Sequence, residues 1–136
     1  MRVQPAPAAL AIFLSLAGHA SAAELIQEMQ GAWSMDGTEC SDTFEKSGDS
    51  LRFKDRGDSI NSGIIVSSDK ITGSNGTCTA GRIQREKDRI NVAMSCADTI
   101  MFSSVSVSFR ITGPDSFVRY DPMFSDVLDS YHRCKP

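Results

Sequence analysis

Residues 101–111, MFSSVSVSFRI, decide the fold class of this 136-residue chain, because apolar and polar side chains alternate along them. One face of the segment carries Met101, Ser103, Val105, Val107, Phe109 and Ile111, and the other carries Phe102, Ser104, Ser106, Ser108 and Arg110. Neighbouring side chains of a β-strand point to opposite faces of its sheet. The alternation therefore predicts a strand that turns its first face towards an apolar core and its serines towards solvent. A hydroxyl-lined binding groove is the alternative interpretation of the serine face.

Strand-like runs of similar length recur on both sides of this segment, and turn residues separate them. They read AWSMD, DTFEK, SLRFKD, SGIIVSS, TCTAGRIQ, INVAMSC, SFVRY and DSYHRC. Asn75 and Gly76, in GSNGT, predict a tight hairpin because both residues accept a positive φ. A short helix is predicted over residues 24–29, ELIQEM. The sequence thus predicts an all-β fold, a small antiparallel β-barrel of about eight strands with a short N-terminal helix and two disulfides. A β-sandwich is the alternative architecture.

The first 22 residues have the features of an export signal. Arg2 precedes an apolar stretch over residues 8–18, which is shorter than the roughly 20 residues that span a membrane. Ala20 and Ala22 are the small residues that a signal peptidase accepts, so cleavage is predicted after Ala22. Residues 1–22 are therefore interpreted as a cleaved signal peptide and residues 23–136 as one β-barrel domain. We expect the mature protein in the periplasm of a Gram-negative bacterium, without a membrane anchor.

Four cysteines lie in the mature chain: Cys40, Cys78, Cys96 and Cys134. An even number of cysteines behind a signal peptide predicts two disulfides in an oxidising compartment. Their spacing lacks the Cys-x-x-Cys clusters of structural zinc sites, so the sequence gives no reason to expect a metal.

The second and third cysteines flank two strand-like runs around a charged turn at residues 86–89. A hairpin that pairs Cys78 with Cys96 conflicts with one that pairs Ile83 with Val92, unless a one-residue bulge lies between the two pairs. We therefore favour a Cys78–Cys96 bridge, together with a bridge between the first and last cysteines. The two other pairings stay open.

Charge and histidine content narrow the function classes. The chain has a net charge of −3, and loss of Arg2 with the signal leaves 13 basic against 17 acidic residues. That balance gives no electrostatic reason to expect nucleic acid or an anionic membrane as a partner. His19 leaves with the signal, so the mature chain keeps only His132, and no nucleophile elbow, phosphate loop or dinucleotide motif occurs. We therefore expect neither an enzyme nor a cofactor-binding protein.

The opening of the mature chain, a short helix, then Gly31-x-Trp33 and a cysteine close behind, resembles the start of small secreted lipocalin-like (calycin-type) barrels. It is also similar to the secreted metalloprotease inhibitors of Gram-negative bacteria, which share Gly-x-Trp and a nearby cysteine. The resemblance implies that Gly31 and Trp33 close one barrel end, with Arg119 or Arg133 from a late strand stacked on the tryptophan. It also implies a bridge from the last cysteine back to the first strand.

Together these features predict a monomeric binding protein without turnover. The apolar residues suffice to fill a barrel core, which favours a protein partner, as for an inhibitor, over an enclosed ligand. Residues 23–29 would serve as an inhibitory arm or, because Leu25, Ile26 and Met29 are apolar, as a plug on the barrel end. The first alternative is a lipocalin-like carrier of a small apolar ligand. The second is a structural or stress-related periplasmic protein.

Overall fold

The computed structural model describes residues 26–54, 62–121 and 123–136. The predicted signal peptide and its cleavage site lie outside the described residues. Within these three ranges, no helix is long and apolar enough to cross a membrane.

Ten β-strands run through the described part of the chain. They are β1 (Gly31–Met35), β2 (Phe44–Ser47), β3 (Ser50–Phe53), β4 (Gly63–Ser67), β5 (Lys70–Gly73), β6 (Gly76–Glu86), β7 (Arg89–Asp98), β8 (Phe102–Gly113), β9 (Ser116–Tyr120) and β10 (Leu128–Cys134). Eight of them close an antiparallel barrel in the order β1-β10-β9-β8-β7-β6-β5-β4, and β2 and β3 form a separate hairpin. The predicted all-β, eight-stranded antiparallel barrel is confirmed, and it is consistent with a lipocalin-like fold in general.

The predicted N-terminal helix over residues 24–29 is wrong. Residues 24 and 25 lie outside the described ranges, and the only helical structure near them is a single 3₁₀ turn, Gln27–Met29, directly before β1. An isolated helix needs about 12 to 15 residues to be stable in water, and here the chain has to enter β1 at Gly31. The one α-helix among the described residues is the short segment α1, Cys40–Thr43.

The alternating serine-rich segment forms β8, but Phe109 is its one buried residue. Phe109 lies in the core, and Val107 packs against that core. The first half is exposed on both faces, and even the inward position Val105 is 38% exposed. Met101 and Ser103 line an open cavity instead of a packed interior. The sequence pattern therefore identifies the strand correctly but overestimates how far the core extends along it.

Aromatic rings form the core at one end of the barrel. Phe117 meets Trp33 edge to face with ring centroids 4.8 Å apart, and it stacks on Tyr131 at 4.7 Å. Ile26 and Met29, from the chain just before β1, are buried in the same cluster. The described part of residues 23–29 is therefore a plug on the barrel end.

The hairpin β2–β3 packs on the outer face of the barrel and forms a second, smaller apolar cluster. The rings of Phe44 and Phe53 lie 5.1 Å apart, and they share this cluster with Ala32 of β1 and Ile65 of β4. Gly63 permits the close approach, because a Cβ at that position would lie 2.7 Å from Cζ of Phe44. The two sequence runs predicted as barrel strands here are strands, but they lie outside the barrel.

The one-residue bulge that the cysteine pairing requires is present in β6. Cys78 pairs with Cys96 and Ile83 pairs with Val92, and the register shifts between Ala80 and Ile83. The bulge resolves the conflict between the two registers, so the hairpin accommodates both the bridge and its apolar pair.

The hairpin predicted at Asn75 and Gly76 forms between β5 and β6, but the expected positive φ at these two residues is wrong. Glycine is needed at position 76 because of the limited space, since a Cβ there would lie 2.7 Å from the carbonyl oxygen of Ala97. Positive φ occurs in three other hairpin turns, at Gly48 (63°), Ser68 (57°) and Lys87 (54°).

Two disulfides connect the pairs that the sequence favours. Cys40 and Cys134 have Cα atoms 5.6 Å apart and tie α1 to the end of β10. Cys78 and Cys96 have Cα atoms 3.9 Å apart and link β6 to β7. The first bridge spans almost the whole described chain, and the second lies within one hairpin.

Removing the Cys40–Cys134 bridge should destabilise the protein more than removing the Cys78–Cys96 bridge. In the chain-entropy model a separation of 94 residues contributes about 4 to 5 kcal/mol, against about 3 kcal/mol for a separation of 18. We expect C40A/C134A to lower the free energy of unfolding in urea, followed by circular dichroism, by more than C78A/C96A does. Equal losses in the two variants would contradict this account.

Candidate functional site

The two ends of the barrel differ. At the closed end the 3₁₀ turn meets the connections β4–β5, β6–β7 and β8–β9, which are tight turns. At the open end lie the connections β5–β6, β7–β8 and β9–β10, and the last of these is the longest of the six. Antiparallel pairing places alternate connections at opposite ends, so this division follows from the topology alone.

Gly31, Trp33 and Arg133 come together at the closed end. The guanidinium carbon of Arg133 lies 4.1 Å from the ring centroid of Trp33, and Trp33 Nε1 donates to the carbonyl of Met29 at 2.7 Å. Gly31 has a φ of +118°, and a Cβ there would lie 3.1 Å from Arg133 Nη1. The arrangement therefore needs glycine at position 31, both for its backbone conformation and for the space beside the arginine.

Arg133 also joins the plug to a hairpin turn. Its Nη2 donates to the carbonyl of Glu28 at 2.8 Å, and its Nη1 donates to the carbonyl of Gln30. Its Nε lies 3.0 Å from a carboxylate oxygen of Asp115, and Nη2 also reaches the carbonyl of Pro114 at 3.2 Å. One guanidinium thus satisfies backbone groups from two segments that share no strand pairing, which gives this arginine a structural role.

Arg119, the other arginine proposed for the tryptophan, lies elsewhere. It shares the inward face of β9 with Phe117 but lines the cavity at the open end. Its Nη2 donates to Asp129 Oδ2, and its Nε is buried with no hydrogen-bond partner among the described residues. An unpaired buried donor is energetically costly.

The open end leads into a cavity of about 430 Å³. Its walls combine apolar side chains, among them Met35, Ile64 and Ile71, with the Cys78–Cys96 disulfide. Arg119 and Tyr131 add polar groups to this lining. The core therefore does not fill the barrel completely, contrary to the expectation that the apolar residues would occupy it.

Burial raises the pKa of the Tyr131 hydroxyl above its ordinary value, although the nearby Arg119 guanidinium acts in the opposite direction. The hydroxyl thus keeps its proton through the neutral range and remains a hydrogen-bond donor inside the barrel.

Large apolar side chains are exposed on two of the connections at the open end of the barrel. We use the term apolar rim for the following exposed residues of the connections β7–β8 and β9–β10 and of the first position of β8: Ile100, Met101, Phe102, Met123, Phe124 and Val127. Ile100 is 90% exposed, Phe102 89% and Met123 83%. Of the large apolar side chains that are exposed in the described ranges, only Val105 and Leu128 lie outside the rim. The exposure of large apolar side chains is therefore concentrated at one end of the molecule.

The same turn, held by hydrogen bonds from backbone N–H groups to an aspartate side chain, occurs in both loops of the rim. Asp98 Oδ1 accepts hydrogen bonds from the backbone N–H groups of Ile100 and Met101, each at 2.8 Å. Asp121 Oδ1 accepts from Met123 at 2.8 Å and from Phe124 at 2.9 Å. In each loop an aspartate holds a turn that presents two consecutive apolar residues to solvent.

The hydrogen bonds from Ile100 and Met101 lower the pKa of Asp98, which keeps its carboxylate charged at neutral pH. The sequence signal for the rim is an aspartate followed two and three residues later by large apolar residues. It occurs three times, as DTIM, DPMF and DSFV, but in DSFV the two apolar residues, Phe117 and Val118, are buried in β9, so the pattern alone does not identify the rim.

The serine face of β8 forms a second surface feature. Ser104 and Ser106 line a shallow depression of about 260 Å³ together with Arg82 and Ser95. Ser108 is engaged within the sheet, since its hydroxyl donates to Asn91 Oδ1 at 2.6 Å. This hydroxyl-lined groove is smaller and less apolar than the cavity at the open end.

No protein-family model, no curated protein and no solved structure matches the chain. The resemblance of Gly31-x-Trp33 to lipocalin-like barrels therefore has no support from these comparisons. The site is interpreted from its own geometry, and the open end combines the cavity with most of the exposed large apolar side chains.

Arg133 should contribute more to stability than any other contact of the plug. Arg133→Met removes the ring contact and leaves the carbonyls that it bonds without their donor, so we expect a loss of about 2 to 3 kcal/mol in urea unfolding. Arg133→Lys keeps the charge without the planar fork and should recover less than half of this loss.

The fluorescence of the single tryptophan provides the control for this prediction. Arg133→Met should shift the emission of Trp33, whereas Arg119→Met should leave it unchanged. A shift of equal size in both variants would contradict the assignment of Arg133 as the stacking partner.

The raised pKa of Tyr131 predicts that the protein loses stability at alkaline pH. The folded state holds the hydroxyl proton more tightly than the unfolded chain, whose tyrosine pKa is about 10. The stabilisation that this difference in pKa provides is therefore complete below about pH 10, and it is lost as the pH rises further. Urea midpoints measured between neutral pH and pH 11 should fall less steeply for Tyr131→Phe than for the wild type. Identical slopes in the wild type and in Tyr131→Phe would be the contrary result.

Proposed function

We propose that this chain is an exported, non-catalytic binding protein that docks a protein partner at the open end of its barrel. The observation that carries the proposal is the apolar rim, six large apolar side chains exposed on two connections at one end of the barrel. Soluble monomers rarely keep such a concentration of apolar surface unless it takes part in binding. The two disulfides fit an oxidising compartment, so we place the protein in the periplasm.

The geometry of the two rim loops supports a role in recognition. A disordered apolar loop would lose entropy on binding, whereas the turns held by Asp98 and Asp121 already fix the backbone of Ile100 and Met123. Both loops follow the same design although their sequences differ in length. A preorganised pair of apolar loops, on neighbouring hairpins of the barrel, gives a partner two anchor points at the same end of the molecule.

Charge indicates the chemistry of the partner. The charged residues in the segments 98–102 and 121–128 are Asp98, Asp121 and Asp126, all of them acidic. An anionic membrane surface would be repelled by these carboxylates. A protein surface that combines apolar side chains with lysine or arginine is complementary to the rim. We therefore favour a basic, apolar protein segment as the partner.

The cavity beneath the rim gives this segment a place to insert. Its volume of about 430 Å³ accommodates an apolar side chain with its neighbouring backbone. A carbonyl oxygen that enters with the side chain would find donors in Arg119 and Tyr131. The plug at the opposite end holds Ile26 and Met29 in the core, so we assign docking to the open end and not to an N-terminal inhibitory arm.

The environment of His132 supports a function without turnover. Ser34 lies opposite His132 across β1 and β10, and Asp36 Oδ1 is 3.1 Å from His132 Nδ1. These are the residue types of a hydrolytic triad, but Ser34 is fully buried and its hydroxyl donates to the carbonyl of Thr38. A serine in that position has no access to a substrate.

A carrier of a small apolar ligand is the second candidate. The cavity volume favours it, because small-molecule sites typically measure about 300 to 1,000 Å³. The apolar walls and the two polar donors match such a site as well. The two candidates differ in whether the rim or only the cavity is needed for binding.

Selection from a phage-displayed random peptide library on the purified mature protein tests the proposal. We expect enriched peptides that combine large apolar residues with lysine or arginine. The variants I100S/F102S and M123S/F124S should each weaken the binding of a selected peptide by at least about tenfold, or roughly 1.4 kcal/mol. Val105→Ser removes an exposed apolar side chain outside the rim and serves as the matched control.

The outcomes separate the two candidates. Peptide binding that survives both rim variants, or no enrichment at all, would sink the docking proposal. A co-purified or added apolar small molecule that binds the wild type and the rim variants equally, and is lost in Arg119→Met, would favour the carrier.

A further inference from the structure

Three metal-ligating side chains meet on the outer face of the barrel. A ring nitrogen of His132 and the sulfur atoms of Cys40 and Cys134 all lie within 4.8 Å of one another. His132 and Cys134 are two residues apart in β10 and therefore share a face of the strand. Cys40 approaches from the start of α1. Two sulfurs and one imidazole form a donor set that suits zinc and not the hard cations magnesium or calcium.

A second observation points to the same chemistry. His132 Nδ1 lies 3.1 Å from Asp36 Oδ1, within hydrogen-bond distance. Metal-binding histidines almost always donate one ring N–H to a carboxylate, a backbone carbonyl or water, which fixes the tautomer and presents the other nitrogen to the metal. Asp36 would hold His132 in this way and leave its Nε2 as the ligand. The cluster thus includes an orienting carboxylate in addition to three ligands.

The sulfurs form a disulfide in the structure, and a disulfide sulfur does not bind zinc as a thiolate does. A dithiol reductant opens the bridge: it gives two electrons and two protons to the cysteines and itself becomes a cyclic disulfide. Zinc binding then releases the two thiol protons. Two sulfurs on a tetrahedral zinc ion lie about 3.8 Å apart, given a zinc–sulfur bond of about 2.3 Å. The Cα separation of 5.6 Å lets both arrangements form with little backbone movement.

We propose that reduced Cys40, reduced Cys134 and His132 form a zinc site, with Asp36 as its positioning residue and a fourth position open to water. The metal replaces the disulfide as the connection between α1 and the end of β10. The same two cysteines thus tie α1 to the end of β10 in two chemical states, by a covalent bond when oxidised and, together with His132, through zinc when a dithiol has opened the bridge. This site is separate from the apolar rim and independent of the proposed docking function.

The other disulfide provides a built-in comparison. Within the described residues, the cluster of Cys40, His132 and Cys134 is the only group of three or more potential metal ligands that lie this close together. Across the same ranges, Cys78 and Cys96 have no histidine or carboxylate arranged beside them in this way. A reduced pair without a third ligand binds zinc more weakly than a pair with an oriented imidazole.

Cobalt titration of the reduced mature protein tests the site, with the dithiol removed under anaerobic conditions before metal is added. We expect one Co²⁺ to bind with thiolate-to-cobalt charge-transfer absorption and the d–d bands of a tetrahedral site, and zinc to displace it. His132→Ala should lower the affinity by more than about tenfold, and Asp36→Asn by about 10- to 100-fold. C78A/C96A should keep the site, and C40A/C134A should abolish it.

Circular dichroism of each reduced sample shows whether the chain is folded. If reduction unfolds the protein, recovery of the β-sheet spectrum on adding zinc, in the wild type but not in His132→Ala, supports the proposal. Equal cobalt affinity in wild type and His132→Ala overturns it, as does equal binding by C40A/C134A. Metal binding of the same strength by the oxidised protein also overturns it, because the thiolates would then not be ligands.

Discussion

The barrel depends on β1, a strand of five residues that hydrogen-bonds to both β4 and β10. Without this double pairing, β4 and β10 would each expose an unpaired edge, which is a site of aggregation in β-proteins. Two further contacts reinforce the seam between the first and last strands. Trp33 pairs with Arg133 across it and Ala32 pairs with Cys134, so both the guanidinium stack and the Cys40–Cys134 bridge act where the barrel closes. Closure therefore rests on the last four residues of β10 and on the few residues of β1 that face them.

The sequence predicts those parts of the fold that depend on local periodicity or on pairing within one hairpin. Alternation in β8 identifies a strand, and the conflict between Cys78–Cys96 and Ile83–Val92 identifies a bulge, because both involve residues close together in the chain. The resemblance to lipocalin-like barrels predicts that the tryptophan lies at a barrel end. It does not decide between Arg119 and Arg133, because both lie on late strands and only the three-dimensional register shows which one faces Trp33.

The features that the sequence does not predict depend on how distant segments share space. The runs that become β2 and β3 have ordinary strand patterns, and nothing in them shows that their rings pack outside the barrel. The helix at residues 24–29 fails for a related reason, since the chain has to turn into β1 before a second helical turn fits. A count of the apolar residues also does not predict the cavity. Enough apolar residues exist to fill the interior, yet the plug and the aromatic rings fill one end and leave Met35 and Ile71 as walls at the other.

The strand β10 shows how a two-residue period lets neighbouring residues serve different surfaces. Tyr131 and Arg133 point into the barrel, one towards the cavity and one onto the tryptophan, while His132 and Cys134 face outward towards Asp36 and Cys40. A substitution at any of these four positions therefore changes one surface and leaves the others in place, as long as the backbone pairing with β1 and β9 survives.

At the closed end the polar groups of Arg133 are satisfied by the protein itself. At the open end Arg119 keeps a buried donor that no described residue pairs, and the rim keeps its apolar side chains in solvent. Stability is thus concentrated where the chain closes on itself, whereas most of the exposed large apolar side chains lie at the opposite end.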